Sequence, residues 1–206
     1  MSADPAPRDI DLFPLRAVLF PGGLLGLKVF EARYLDLIGT CLREQRPFGV
    51  VGLRQGAEVK QAGETVDLEP VGCLAEILEV NGDQPGILQV RCRGLQRFRS
   101  ERQWQEPSGL WRAAVHMLPD DASLAPAPEF FATTTSLGQA LTNLDAQGVH
   151  PVLEPYRFDD AAWVANRWCE LLPLSQQARQ RLMELDDPMV RLKLVDEYLR
   201  SKGVLG

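Results

Sequence analysis

The chain has 206 residues, a formal net charge of −6, and ordinary apolar and charged fractions of 45% and 24%. Such a length allows one large domain or two small ones with a core that needs no staples. The acidic balance argues against a dedicated nucleic-acid binder, whose affinity comes from neutralising phosphates with Lys and Arg.

Residues 1–8 read as a polar, proline-containing mobile tail. Asp4, Asp9 and Asp11, with no basic cluster ahead of an apolar core, are the wrong flank for a secretory signal. Pro14, Arg16 and Pro21 break the first apolar run, which excludes a membrane span there. A cytoplasmic location is therefore expected. Two apolar runs then flank Pro21-Gly22-Gly23, a turn signal: Pro sets φ and Gly accepts the positive φ that follows. After Phe30-Glu31-Ala32-Arg33 the period changes. Tyr34, Leu35, Ile38, Cys41 and Leu42 recur three and four apart, one face of a helix.

Pro47–Leu53 is a candidate buried strand, and Arg54–Glu69 reads as a loop with room for a short strand. Cys73–Val80 has two largely apolar faces: Cys73, Ala75, Ile77 and Glu79 on one, Leu74, Glu76, Leu78 and Val80 on the other. That pattern suits a central strand. Asn81-Gly82-Asp83 is a hairpin signal. In Leu88–Arg93, Leu88, Val90 and Cys92 face inward. Gly94 breaks the run as a bulge would, and Phe98 turns inward with Arg97 and Arg99 outward. Trp111, Ala113, Val115 and Met117 share one face of a last strand. Many short strands with one early helix predict a small, mostly antiparallel barrel.

Composition changes at Pro119. Asp120–Pro128 is a linker, and four helices follow. The first spans Glu129–Ala146, stopped by Gly148. The second starts at Asp159 or Asp160 and carries Val164, Trp168, Leu171 and Leu172. The third is capped by Ser175, with Ala178, Leu182 and Leu185 spaced for burial. The fourth opens at Asp187-Pro188, with Val190, Leu194, Val195, Tyr198 and Leu199 as its inner stripe. The expected domains are a β-barrel over 9–118 and a helical bundle over 119–206, an α+β chain.

The sequence has no phosphate-cradling Gly-x-x-x-x-Gly-Lys-Ser/Thr, no Gly-x-Ser-x-Gly elbow and no His-Glu-x-x-His. His116 and His150 are isolated. Asp159-Asp160 and Asp186-Asp187 sit at helix starts, where capping accounts for them; Asp120-Asp121 opens the linker. Cys41, Cys73, Cys92 and Cys169 lie in apolar periodic segments and read as buried hydrophobes, with neither metal nor disulfide expected. No catalytic residue, metal or cofactor is expected, and a hydrolase is the weakest of the function classes.

The ordered blocks Phe-Pro-Leu-Arg (13–16), Leu-Phe-Pro-Gly (19–22), Phe-Glu-Ala-Arg-Tyr-Leu (30–35), Phe-Gly-Val-Val (48–51), Val-Gly-Cys-Leu-Ala-Glu-Ile-Leu-Glu-Val (71–80), Val-Arg-Cys-Arg-Gly-Leu-Gln-Arg-Phe (90–98), Leu-Leu-Pro-Leu-Ser (171–175) and Asp-Asp-Pro-Met-Val-Arg-Leu (186–192) resemble the amino-terminal substrate-binding domain of the Lon protease family over about Asp9–Leu199. The resemblance implies a barrel related to the PUA domain followed by a helical tail. It also implies a stand-alone, non-enzymatic module that binds unfolded polypeptide or a protein partner without the family's ATPase and peptidase domains. By that resemblance Phe30, Glu31 and Arg33 are the candidate polypeptide-binding residues; a helix-start role for Glu31 and a plain surface charge for Arg33 are the alternatives. The alternative function is RNA binding by an arginine strip, Arg91, Arg93, Arg97 and Arg99, which would share a face if Gly94 is a turn or bulge. RNA recognition usually adds stacking aromatics. Here only Trp104 lies nearby, and Glu101 and Glu106 are candidate partners of a merely solvated strip.

Overall fold

The structure, a computed structural model, describes residues 6–55 and 66–205. The fold is mixed α+β, with a six-stranded sheet and five α-helices among the described residues. The strands are β1 (Arg8–Leu15), β2 (Leu24–Val29), β3 (Phe48–Gln55), β4 (Asp67–Gln84), β5 (Ile87–Gln105) and β6 (Trp111–Met117). The helices are α1 (Ala32–Glu44), α2 (Phe131–Asp145), α3 (Ala161–Leu171), α4 (Gln176–Glu184) and α5 (Pro188–Ser201), with a 3-10 turn at Pro128–Phe130. The chain forms two compact units that part between Pro119 and Asp120.

In the first unit the sheet order is β2-β5-β4-β3-β1-β6, with a further pairing of β5 to β6. Only β1–β3 is parallel. The long β5 is shared. Leu88–Arg93 pairs with β2, and Phe98–Gln105 pairs with β6. Strand alternation sorts the apolar residues into two cores. Phe13, Leu15, Phe48, Val50, Cys73 and Val90 pack on one side with Tyr34, Leu37, Ile38 and Cys41 of α1. Ile10, Leu12, Val51, Leu74, Phe98, Ala113 and Val115 form the other. Phe98 is fully buried, which contributes about 1.5–3 kcal/mol. Its ring lies where a Cβ on Gly72 would stand, 2.5 Å from Phe98 Cζ and 2.4 Å from the Val50 carbonyl oxygen.

Several local expectations are corrected. Arg8 belongs to β1, opposite Val115, so the strand begins inside the stretch read as a tail. Of the loop read at 54–69, Arg54 and Gln55 end β3 and Asp67–Glu69 open β4, while 56–65 lie outside the described residues. The hairpin turn is not at Asn81-Gly82-Asp83, which stays in β4. It lies at Pro85-Gly86, with Gln84 opposite Ile87 and Gly86 at φ +76°. Pro followed by a positive-φ Gly is the type II arrangement, and Pro85 cannot donate to the ladder. Glu79 does not share the face of Cys73. Ile77 and Glu79 stand opposite the adjacent Cys92 and Arg91, so β4 carries an extra residue there. That shift brings Val80 onto the core side with Ile77 and leaves Leu78 exposed.

In the second unit the helix starts follow their caps. Asp160 accepts the Ala162 and Trp163 amides at 2.9 and 3.2 Å, Ser175 accepts that of Ala178, and Asp187 those of Met189 and Val190. Asp187→Ala is expected to lower the unfolding free energy of this unit by about 1 kcal/mol, read by urea denaturation. α3 is buried over Ala161–Cys169, including Arg167 and Asn166. The predicted stripe of α5 is met only in part, at Val195 and Leu199. Pro188, Arg191, Leu192, Val195, Asp196 and Leu199 are buried, whereas Val190 and Leu194 are exposed. The cause is polar burial: Arg191 bonds Asp121 and Asn166, and Asp196 accepts from Thr133 Oγ1 at 2.5 Å. In α4, likewise, Gln180 and Met183 are buried, and Ala178, Leu182 and Leu185 are only half-buried.

Candidate functional site

β2 runs Leu24-Leu25-Gly26-Leu27-Lys28-Val29 at one end of the sheet order, beside β5. Leu27 and Val29 turn into the α1-side core. The strand ends at Phe30, which is 52% exposed, and Glu31 takes the N-cap position of α1 with φ −79° and ψ 134°. The Glu31 side chain does not cap the helix. Its carboxylate instead pairs with Arg33 at 2.9 Å, while its carbonyl accepts the Tyr34 and Leu35 amides.

Arg33 is no plain surface charge. Its side chain is 9% exposed, and Nη1 donates to the Gly109 carbonyl at 2.8 Å, tying the start of α1 to the β5–β6 turn. The guanidinium lies 4.6 Å above the Tyr34 ring, and that ring stacks on Phe13 at 4.1 Å with 16° between planes. Arg33, Tyr34 and Phe13 thus form one layered support.

This support borders a cleft of about 400 Å³ lined by Phe13, Leu15 and Ala17, by Tyr34, and by every residue from Leu25 to Glu31. Of the candidate residues, Phe30 and Glu31 line it, and Arg33 stands behind it as the partner of Glu31. The lining is predominantly apolar, with Lys28, Glu31 and Tyr34 as its titratable groups. Such a surface is suited to holding apolar side chains. Leu19 and Phe20, which lead into the turn before β2, are core, whereas Leu25 lines the cleft. The cleft itself could not be read from the sequence, because Phe13, Leu15 and Ala17 reach it only through the tertiary fold.

The four-arginine strip does not form as drawn. Arg97 is 3% exposed, not outward. Between Gly94, opposite Ala75, and Arg97, opposite Cys73, β5 carries an extra residue, which shifts the alternation. Arg97 and its neighbour Phe98 are both buried, so the sheet is covered on both faces there. Arg91 and Arg93 pair with Glu79 and Glu76 at 3.2 and 2.6 Å, and Arg99 is exposed. Trp104 lies under Arg102 at 4.7 Å and near Arg112 at 5.6 Å, with its indole N–H on Glu106 at 2.9 Å.

The remaining candidates lie outside the cleft lining. His116 faces Glu101 at 3.4 Å, and His150 meets Asp145 at 2.9 Å. All four cysteines are buried, and no disulfide joins them. Burial pushes the thiols of Cys41, Cys92 and Cys169 up, to about 11, 12 and 12. Raised values make poor nucleophiles. No helix of the described residues is long and apolar enough to cross a membrane.

The family model for the ATP-dependent protease La (LON) substrate-binding domain matches residues 9–201. Lon protease 2 of Myxococcus xanthus is 28% identical over 210 residues, covering 95% of this chain and 24% of its own length. Lon protease of Paraburkholderia phytofirmans is 27% identical over 206 residues, covering 95% of this chain and 25% of its own. The chain therefore spans about a quarter of the curated relatives it matches. Among solved structures, a Lon N-terminal domain protein from Xanthomonas campestris superposes with a TM-score of 0.73 at 32% identity, over 93% of this chain and 98% of that one. The N-terminal domain of Lon protease from Mycobacterium avium complex has a TM-score of 0.62 at 15% identity, over 93% of this chain and 97% of its own, a likeness of fold alone.

Proposed function

The chain belongs to the Lon substrate-binding domain family, and from that premise we propose that it is a non-enzymatic module that binds unfolded polypeptide, or an apolar segment of a protein partner, in the cleft between β2 and α1. The observation that carries this reading is the apolar cleft with Phe30 standing exposed at its rim. Large exposed aromatics beside a concave apolar lining are the usual anchors of interfaces. The Glu31–Arg33–Gly109 tie holds that rim in place, so little ordering is left to oppose binding. A non-enzymatic role is supported by the family match, which is to the substrate-binding domain rather than to the peptidase.

The reading extends to architecture and setting. We take the first unit as a PUA-like barrel, supported by the return of β6 to β5, and the second as a helical bundle. A reducing, cytoplasmic setting suits four buried cysteines without a disulfide.

The test uses reduced, carboxymethylated α-lactalbumin as a permanently unfolded probe, fluorescein-labelled and followed by anisotropy. Binding is expected without ATP or metal. Phe30→Ser is expected to weaken it about tenfold, roughly one interface aromatic. An unfolded probe that stays unbound at high protein concentration, or binds Phe30→Ser equally well, overturns the reading.

A further inference from the structure

The cleft lining contains a second piece of information. A cavity under one face of a strand is lined by alternate residues, because side chains alternate across the sheet. This cleft is lined by consecutive residues of β2, Gly26 and Lys28 as well as Leu25, Leu27 and Val29. It therefore runs along the strand's edge. β2 is the end strand of the sheet order, and β5 is its pairing partner. Among the described residues no strand lies beside its other edge, so one row of N–H and C=O groups faces the cleft without a ladder. Such a row is a template for another extended chain.

We propose that the bound polypeptide is taken in extended form, as an added strand along the free edge of β2, with its apolar side chains in the cleft and an acidic side chain near Lys28. The proposal rests on the polypeptide-binding reading above and adds the conformation and charge of the bound segment. Strand addition gives affinity through main-chain hydrogen bonds, which suits a site that must accept many sequences, while alternate pockets add preference. The charge preference follows from Lys28. It is exposed and lines the cleft, and among the described residues it forms no ion pair. The other cleft charge, Glu31, is already paired with Arg33. The edge thus offers one unmatched cation to a chain laid along it. At Gly26 an added Cβ would meet nothing within 4 Å, so the face of the strand is open there.

The probe is a fluorescein-labelled ten-residue peptide alternating Val and Ser with one central Asp. Two N-methylated versions carry methyl groups on the odd or on the even amides. A strand docks by one edge only, so one version is expected to lose affinity at least tenfold and the other to keep it. Equal affinities for the two versions overturn strand addition. Gly26→Phe fills the open space beside the edge and is expected to weaken the peptide at least tenfold with an unchanged melting temperature; unaltered binding to that variant also overturns it. Lys28→Glu is expected to reverse the preference for the Asp peptide over its Lys counterpart by about fivefold, the scale of one exposed ion pair. If the peptide stays unbound while carboxymethylated α-lactalbumin binds, strand addition fails and the polypeptide-binding reading stands. If neither binds, both fall.

Discussion

Arg191→Met is expected to destabilise the carboxy-terminal unit by about 3–5 kcal/mol, the range for breaking one side of a buried ion pair. The Arg191 side chain is 1% exposed, and its Nη1 lies 2.6 Å from Asp121, itself 8% exposed. The same nitrogen donates to Asn166 at 2.9 Å, and Nε donates to the Leu182 carbonyl at 2.8 Å. A further bond runs from Nη2 to the Leu185 carbonyl. One guanidinium therefore joins the segment before α2, the middle of α3 and the last carbonyls of α4 to α5. Methionine matches much of the volume but removes the cation paired with Asp121 and takes one donor from each of the Leu182 and Leu185 carbonyls. Arg191→Lys is expected to recover only part of the loss, since a point charge cannot reach all four acceptors. The double variant Asp121→Leu with Arg191→Met is expected to regain much of it, because the carboxylate that lost its cation is removed as well. Urea denaturation followed by Trp fluorescence measures all three. A single-variant loss under about 1 kcal/mol would overturn the central role of this guanidinium.

The same arginine explains what the sequence could and could not reveal. Caps were legible because Asp160, Ser175 and Asp187 act on amides two or three residues away. Strand alternation was legible wherever no extra residue intervened, as in Trp111–Met117. The inner face of α5 is legible only at Val195 and Leu199, because Arg191 and Asp196 also turn inward toward Asp121 and Thr133, partners distant in sequence. Hydropathy assigns such residues to solvent. Arg97 departs for a different reason: a break at Gly94 is legible, but not its effect on which side chains become buried. At the candidate site, Phe30, Glu31 and Arg33 came from family resemblance. The tie of Arg33 to Gly109, 76 residues away, has no local signal. Lys28 carries no sequence signal, because an exposed lysine on a strand is ordinary unless the strand is an edge.

Gly94→Ala is expected to cost about 3 kcal/mol, the upper part of the overpacking range, and to loosen β2 specifically. A Cβ at this position would stand 2.1 Å from the Phe20 carbonyl oxygen and 3.1 Å from Leu19 Cγ. The first obstacle is backbone, so no side-chain rotation relieves it. The loop is also fastened here by two hydrogen bonds, Gly22 N–H to the Gly94 carbonyl at 2.8 Å and Gly94 N–H to the Gly23 carbonyl at 2.9 Å. Pro21-Gly22-Gly23 therefore does more than reverse the chain. With Gly22 at φ +72°, it seats against the start of the β5 bulge, and β2 begins one residue later with Leu24 opposite Arg93. Displacing the loop must move the strand that lines the cleft. Amide hydrogen exchange is the direct measurement, with faster exchange expected across Leu24–Val29 than across the β3–β4 pairing. Gly26→Ala, on the same strand but facing open space, is the control and should change stability by less than about 0.5 kcal/mol. If Gly94→Ala slows or leaves unchanged the exchange of β2 relative to β3 and β4, the loop is not what positions that edge. A uniform loss across the whole sheet would make the glycine a requirement of general packing and not of the cleft.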